Sequence, residues 1–136
     1  MHILVVDAQG GGVGRQLIQQ IKDKIPGAEI TAVGTNSAAT AAMLKAGADN
    51  AATGENSVVV CAKKVDVIIG PVGIVLADSM LGEITPAMAK AVAQSPAKRI
   101  LIPFQSCDTY IAGVRGGAMG ALIADAVEEL ARSACR

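Results

Sequence analysis

The chain holds 136 residues, 51% of them hydrophobic and 18% charged, with 12 Lys and Arg against 12 Asp and Glu. This length and apolar content fit one compact domain over residues 1–136 with a buried core, and they exclude a disordered chain. A formal net charge of zero gives no field to draw in nucleic acid or an acidic membrane surface.

In chain order, Ile3 to Val6 is a continuous apolar run of strand length that leads straight into glycines, the pattern of a strand buried on both faces. No basic segment or cleavage signal precedes it, so it reads as a strand and not as a signal peptide. From Val13, the residues Leu17, Ile18, Ile21 and Ile25 keep helical spacing, with Lys22 and Lys24 in the last turn and Pro26-Gly27 as the stop. Glu29 to Val33 predicts a second strand. Thr35 or Asn36 then caps a helix that runs to about Lys45, with Gly47 as its left-handed terminator.

Val58, Val59, Ala62 and Val65 predict a helix capped by Asn56, although three consecutive valines also fit a strand. Val67 to Ile69 predicts a buried strand ending on Gly70-Pro71-Val72-Gly73. The apolar stretch from Val67 to Ala77 is broken by Gly70, Pro71 and Gly73 and bracketed by Asp66 and Asp78, too short to span a bilayer. Thr85-Pro86 marks a helix start and Ser95-Pro96 its end. Ile100 to Ile102 predicts a further strand, and Tyr110 to Val114 a last short one. The C-terminal segment predicts an amphipathic helix with Met119, Leu122, Ile123, Ala126, Val127 and Leu130 on its inner stripe.

This alternation predicts an α/β fold, a three-layer sandwich around a mostly parallel sheet of about five or six strands. In such sheets the ligand crevice lies at the carboxyl ends of the strands. The loops concerned are Asp7 to Gly14, Gly34 to Ser37, Gly70 to Gly73 and Phe104 to Thr109.

Asp7-Ala8-Gln9-Gly10-Gly11-Gly12-Val13-Gly14-Arg15 is the most informative stretch. Glycines between a buried strand and a helix let the backbone approach a phosphate, and the free N–H groups of the helix start supply donors. The stretch resembles the phosphate-binding turn of Rossmann-type dinucleotide proteins, and more closely the short-chain dehydrogenase version. Gly12 and Gly14 match its Gly-x-Gly, while Asp7 and Ala8 stand where Thr and Gly are expected. The acidic residue expected to hold a ribose at the end of the second strand is absent, and Gly34-Thr35-Asn36 stands there instead.

Several chemistries fail on residue type. Gly14-Arg15-Gln16 lacks the Lys and hydroxyl of a Walker loop, and Val114 stands four residues after Tyr110, where a short-chain dehydrogenase needs Lys. The single histidine, His2, lies at the far end of the first strand, so neither a His-based zinc site nor a nucleophile-histidine triad is legible. Cys61, Cys107 and Cys135 are an odd number at long spacings, neither a disulfide framework nor a zinc knuckle. A reduced, cytoplasmic protein without a metal site is the expectation. Phe104 and Cys107 share a polar loop after a buried strand; there Phe104 offers a stacking face or, with Tyr110, anchors the loop on the core, and Cys107 reads as a ligand-lining or small buried side chain and not as a nucleophile, because Asp108 opposes a thiolate.

The segments Gln9 to Gly12, Gly34 to Asn36, Met43 to Ala48, Ala52 to Asn56, Gly70 to Gly73 and Thr85 to Ala89 together resemble an uncharacterised family of small bacterial proteins that carries only a domain-of-unknown-function label. The resemblance implies a stand-alone bacterial protein and no particular activity.

The residues therefore predict a Rossmann-like domain that binds a nucleotide, a dinucleotide or another phosphorylated small molecule. The expected site is Gln9, Gly10, Gly11, Gly12, Val13 and Gly14, closed over by Thr35, Asn36, Gly70, Pro71, Gly73, Phe104 and Cys107, with the catalytic residues, if any, unassigned. The competing expectation is a non-enzymatic, self-associating sensor or partner-binding module whose glycine turn is purely structural. Half the residues being apolar predicts a homo-oligomer in either case, through the Val72 to Leu81 segment or the C-terminal helix.

Overall fold

A computed structural model describes residues 1–103, 109–114 and 118–134. Strands and helices alternate: β1 (His2–Asp7), α1 (Gly12–Lys24), β2 (Glu29–Gly34), α2 (Ser37–Lys45), β3 (Asn50–Thr53), α3 (Glu55–Cys61), β4 (Val67–Pro71), α4 (Pro86–Gln94), β5 (Lys98–Ile102) and α5 (Met119–Ala134). The sheet has five strands in the order β3-β2-β1-β4-β5, and every neighbouring pair is parallel.

Alternating side chains of β1 explain the three layers. Ile3 and Val5 join a core on one face with Leu17, Ile18 and Ile21 of α1 and Ile123, Val127 and Leu130 of α5. Leu4 and Val6 join the other core with Val58 of α3 and Met88 and Val92 of α4. All four β1 side chains are fully buried, which is why this strand reads as a continuous apolar run. Since β1 sits at the centre, the chain winds outward to β2 and β3, then crosses back to β4 on the other side. That reversal leaves a crevice between the carboxyl ends of β1 and β4.

Most expected boundaries hold. Asn36 caps α2 by accepting the Ala39 N–H at 2.9 Å, Gly47 adopts φ +119° after that helix, and Thr85 accepts the Met88 N–H at 3.2 Å at the start of α4. Three expectations need correction. The helix after β3 starts at Gly54, at φ +103°, and not at an Asn56 cap; the Gly54 N–H still pairs with the Gly34 carbonyl at 2.9 Å, so the chain turns as soon as the strand ends. Asn50–Thr53 forms a strand that its weak apolar pattern did not reveal, because β3 is an edge strand held by backbone bonds to β2. Tyr110 to Val114 is not a strand: Thr109 makes an isolated bridge, the following residues turn, and Gly113 has φ +86°.

The contact between β1 and β4 is close enough to dictate a residue. A Cβ on Gly70 would stand 2.4 Å from the Val6 carbonyl oxygen, a backbone atom that cannot move without opening the sheet. Gly70→Ala is therefore expected to lower unfolding stability by about 3 kcal/mol or more. Urea denaturation checks this, and a loss under about 1 kcal/mol would contradict the register described here.

Candidate functional site

The loop from Asp7 to Gly14 is organised by one side chain. Asp7 ends β1 and is 4% exposed. Its Oδ1 accepts the Ala8 N–H at 2.8 Å and its Oδ2 accepts the Gly14 N–H at 2.7 Å. The carboxylate thus closes the loop on itself and meets the amino-terminal end of α1, where a negative charge is favoured. Burial pushes the Asp7 carboxyl above its ordinary pKa, against the lowering effect of the Gly14, Ala8 and Val13 N–H groups, and the Glu83 charge adds to the rise.

The glycines of this loop separate into two kinds. Gly11 has φ +73°, and a Cβ there would lie 2.9 Å from the Ala39 backbone; a Cβ on Gly14 would lie 2.5 Å from the Met43 sulfur and 3.1 Å from the Asp7 Cβ. Packing and backbone angle account for both. Gly10 and Gly12 have neither constraint, since a Cβ on either meets nothing within 4 Å and neither has positive φ. These two face a cleft of about 360 Å³. Their N–H groups donate to no atom among the described residues.

The cleft occupies the crevice between β1 and β4. Asp7, Ala8, Gln9, Gly10, Gly12 and Val13 form one wall; Pro71, Val72, Gly73 and Leu76 form another, and Ser79 and Met80 lie over it. Gly73 lets that cover approach, because a Cβ there would meet the Met80 methyl at 2.6 Å. Ser79 donates to the Gly73 carbonyl at 2.6 Å, which ties the cover to the β4 loop. Among these wall residues there is no lysine or arginine, so an anion here would meet backbone N–H groups and the end of α1.

Of the expected site residues, the structure brings Gln9, Gly10, Gly12, Val13, Pro71 and Gly73 together on the cleft. Gly11 and Gly14 turn inward, and Gly70 is part of β4 against β1. Thr35 and Asn36 stand beyond Gln9 at the end of β2, where both donate to Glu83. Phe104 and Cys107 lie outside the described residues.

Sequence reasoning missed Glu83. Its Oε1 accepts three hydrogen bonds, from the Thr35 hydroxyl at 2.6 Å, the Asn36 amide at 2.8 Å and the Gln9 N–H at 2.8 Å. Those partners lie 47 to 74 positions away in the chain, so no local spacing could have revealed them. The Thr35 hydroxyl, then the Gln9 N–H and the Asn36 amide, hold the Glu83 carboxyl below its ordinary pKa. The segment that delivers it carries Asp78, Met80 and Leu81 in the left-handed region, at φ +66°, +55° and +58°, each a conformation that costs a non-glycine residue about 1–2 kcal/mol.

A family model described as a domain of unknown function, DUF3842, matches residues 2–134. No curated protein matches the chain. Among solved structures, the chain resembles a dodecameric FMN-dependent UbiX-like decarboxylase from Escherichia coli O157:H7, with a TM-score of 0.50 and 16% identity over 96% of this chain and 76% of that one. At that identity the likeness bears on the fold, an α/β arrangement around a parallel sheet.

Two measurements follow from this geometry. Gly14→Ala should destabilise by about 1–3 kcal/mol through the Met43 clash, whereas Gly12→Ala should be neutral or stabilising by up to about 1 kcal/mol; equal losses in denaturant melts would contradict the division of the glycines. Asp7 also fixes a pH dependence. Its folded pKa is raised, so its contribution is fully present below the unfolded value of about 3.9 and is lost as pH rises through the folded value. Wild type should therefore gain stability relative to Asp7→Asn as pH falls from neutral towards 4, and a difference independent of pH would show that Asp7 is not buried against α1.

Proposed function

The chain belongs to the DUF3842 family, and for it we propose binding of a phosphorylated small molecule of the nucleotide class in the cleft between β1 and β4. The phosphate faces the N–H groups of Gly10 and Gly12 and the amino-terminal end of α1. One observation carries this reading: of the four glycines in the loop from Asp7 to Gly14, the two that packing and backbone angle do not require, Gly10 and Gly12, are the two that border the cleft. A purely structural turn accounts for Gly11 and Gly14 and leaves Gly10 and Gly12 unexplained. The position at the reversal of strand order is where doubly wound sheets hold ligands, and the FMN dependence stated for the solved neighbour supports a phosphorylated ligand.

Expected values follow from ligand linkage. In a thermal-shift panel of mononucleotides, dinucleotides, FMN and sugar phosphates, at least one compound should raise the melting temperature of wild type. Gly12→Val should remove that protection while melting cooperatively near the wild-type temperature without ligand. A panel without any protection of wild type would refute the site, as would full protection of Gly12→Val.

Self-association belongs to the same proposal. Leu81 is 97% exposed on the turn that covers the cleft, within the segment where the apolar content predicts an interface, and the solved neighbour is described as dodecameric. Light scattering should give a dimer or larger assembly at micromolar concentration, and Leu81→Lys should shift it towards monomer. A wild-type monomer at high micromolar concentration would refute self-association.

A further inference from the structure

Glu83 offers a more specific reading of the ligand, which rests on the phosphate placement above. Dinucleotide-binding sheets place an acidic residue at the carboxyl end of the second strand, where it accepts hydrogen bonds from a ribose diol. This chain has Gly34-Thr35-Asn36 at that place. The fold fills the gap from elsewhere: Glu83, on the turn after β4, lays its carboxylate on Thr35, Asn36 and Gln9. It therefore stands between the end of β2 and the loop that carries Gly10 and Gly12.

We propose that Glu83 reads the vicinal hydroxyls of the ligand, so that the site accepts a ribose and rejects a phosphate at the 2′ position. A glutamine could place its carbonyl oxygen towards the same donors and keep a clasp between the loops, with weaker, uncharged hydrogen bonds. Glutamate differs in its charge and in its second oxygen, and Oε2 accepts no hydrogen bond among the described residues. Thr35, Asn36 and Gln9 lock the carboxylate in place through Oε1 and leave Oε2 as an oriented acceptor. All three donors stabilise the ionised form, which keeps the charge near neutral pH and makes a second anion beside it unfavourable. The cost of the left-handed turn at Asp78, Met80 and Leu81 buys a defined position for this one side chain, which three converging donors at 2.6–2.8 Å confirm as fixed.

Isothermal titration tests this with 5′-ribonucleotides, their 2′-deoxy counterparts and the 2′,5′-bisphosphates of the same bases, with inorganic pyrophosphate as a probe of the glycine loop alone. Wild type should bind the ribonucleotide about tenfold or more tightly than the deoxy form, the loss expected for a hydroxyl bonded to a charged acceptor, and should bind the 2′-phosphate more weakly still. Glu83→Gln preserves the clasp and removes the free anionic oxygen; it should bring the deoxy discrimination close to unity and relieve the rejection of the 2′-phosphate, with pyrophosphate affinity unchanged. Thr35→Val, which removes one donor and leaves the charge, should still reject the 2′-phosphate. Equal affinity of wild type for ribose and deoxyribose forms overturns the proposal even if Glu83→Gln fails to fold. Tighter binding of every probe to Glu83→Gln also overturns it, because the carboxylate would then be an occupant of the site. Failure of every phosphate compound on wild type is the different outcome that refutes the phosphate site itself.

Discussion

The carboxylate of Asp7 is the joint on which the site depends. By accepting the N–H groups of Ala8 and Gly14, it bends the chain from the central strand into α1 within one tight loop. Gly14 then packs against Met43 and Gly11 against Ala39, which holds α1 and α2 close to each other. With those two glycines drawn inward, Gly10 and Gly12 are left facing the crevice. The same bonds occupy part of the helix end, so few backbone donors remain free there.

That arrangement sets the electrostatics. The positive end of α1 meets a buried carboxylate, and no cationic side chain lines the cleft walls among the described residues. A bound phosphate would raise the pKa of Asp7 further, in the direction in which burial and Glu83 already push it. Glu83 is the opposite case, a carboxylate that its neighbours keep ionised. Two acids a short distance apart in the fold are driven in opposite directions by burial in one case and hydrogen bonding in the other.

The cover over the cleft joins these loops. Ser79 bonds the β4 loop, Met80 packs on Gly73, Ile84 is fully buried in the core below, and Glu83 spans to the loops after β1 and β2. A segment with three non-glycine residues in the left-handed region persists only where its surroundings over-determine it. Here four anchors do so. Leu81, on the same turn, is the most exposed of the large apolar side chains among the described residues.

By itself the sequence determined the layers and the location of the crevice. Apolar runs at Ile3 to Val6 and Val67 to Ile69, helical spacing from Val13 and the cap signals at Asn36 and Thr85 are local patterns, and local patterns survive without knowledge of the fold. It also concentrated glycine after β1. It could not divide those glycines, because whether a Cβ at Gly12 or Gly14 meets open space or Met43 depends on where α2 packs. The edge strand Asn50–Thr53 escaped notice because backbone pairing, not apolar side chains, holds it, and Tyr110 to Val114 has strand-like residues but pairs with no strand among the described residues. Only the tertiary structure brought an acid, Glu83, to the end of β2. Glu83 reaches Thr35 and Asn36 through a left-handed turn and the return of the chain past β4, and a contact between residues so far apart in sequence leaves no periodicity to read.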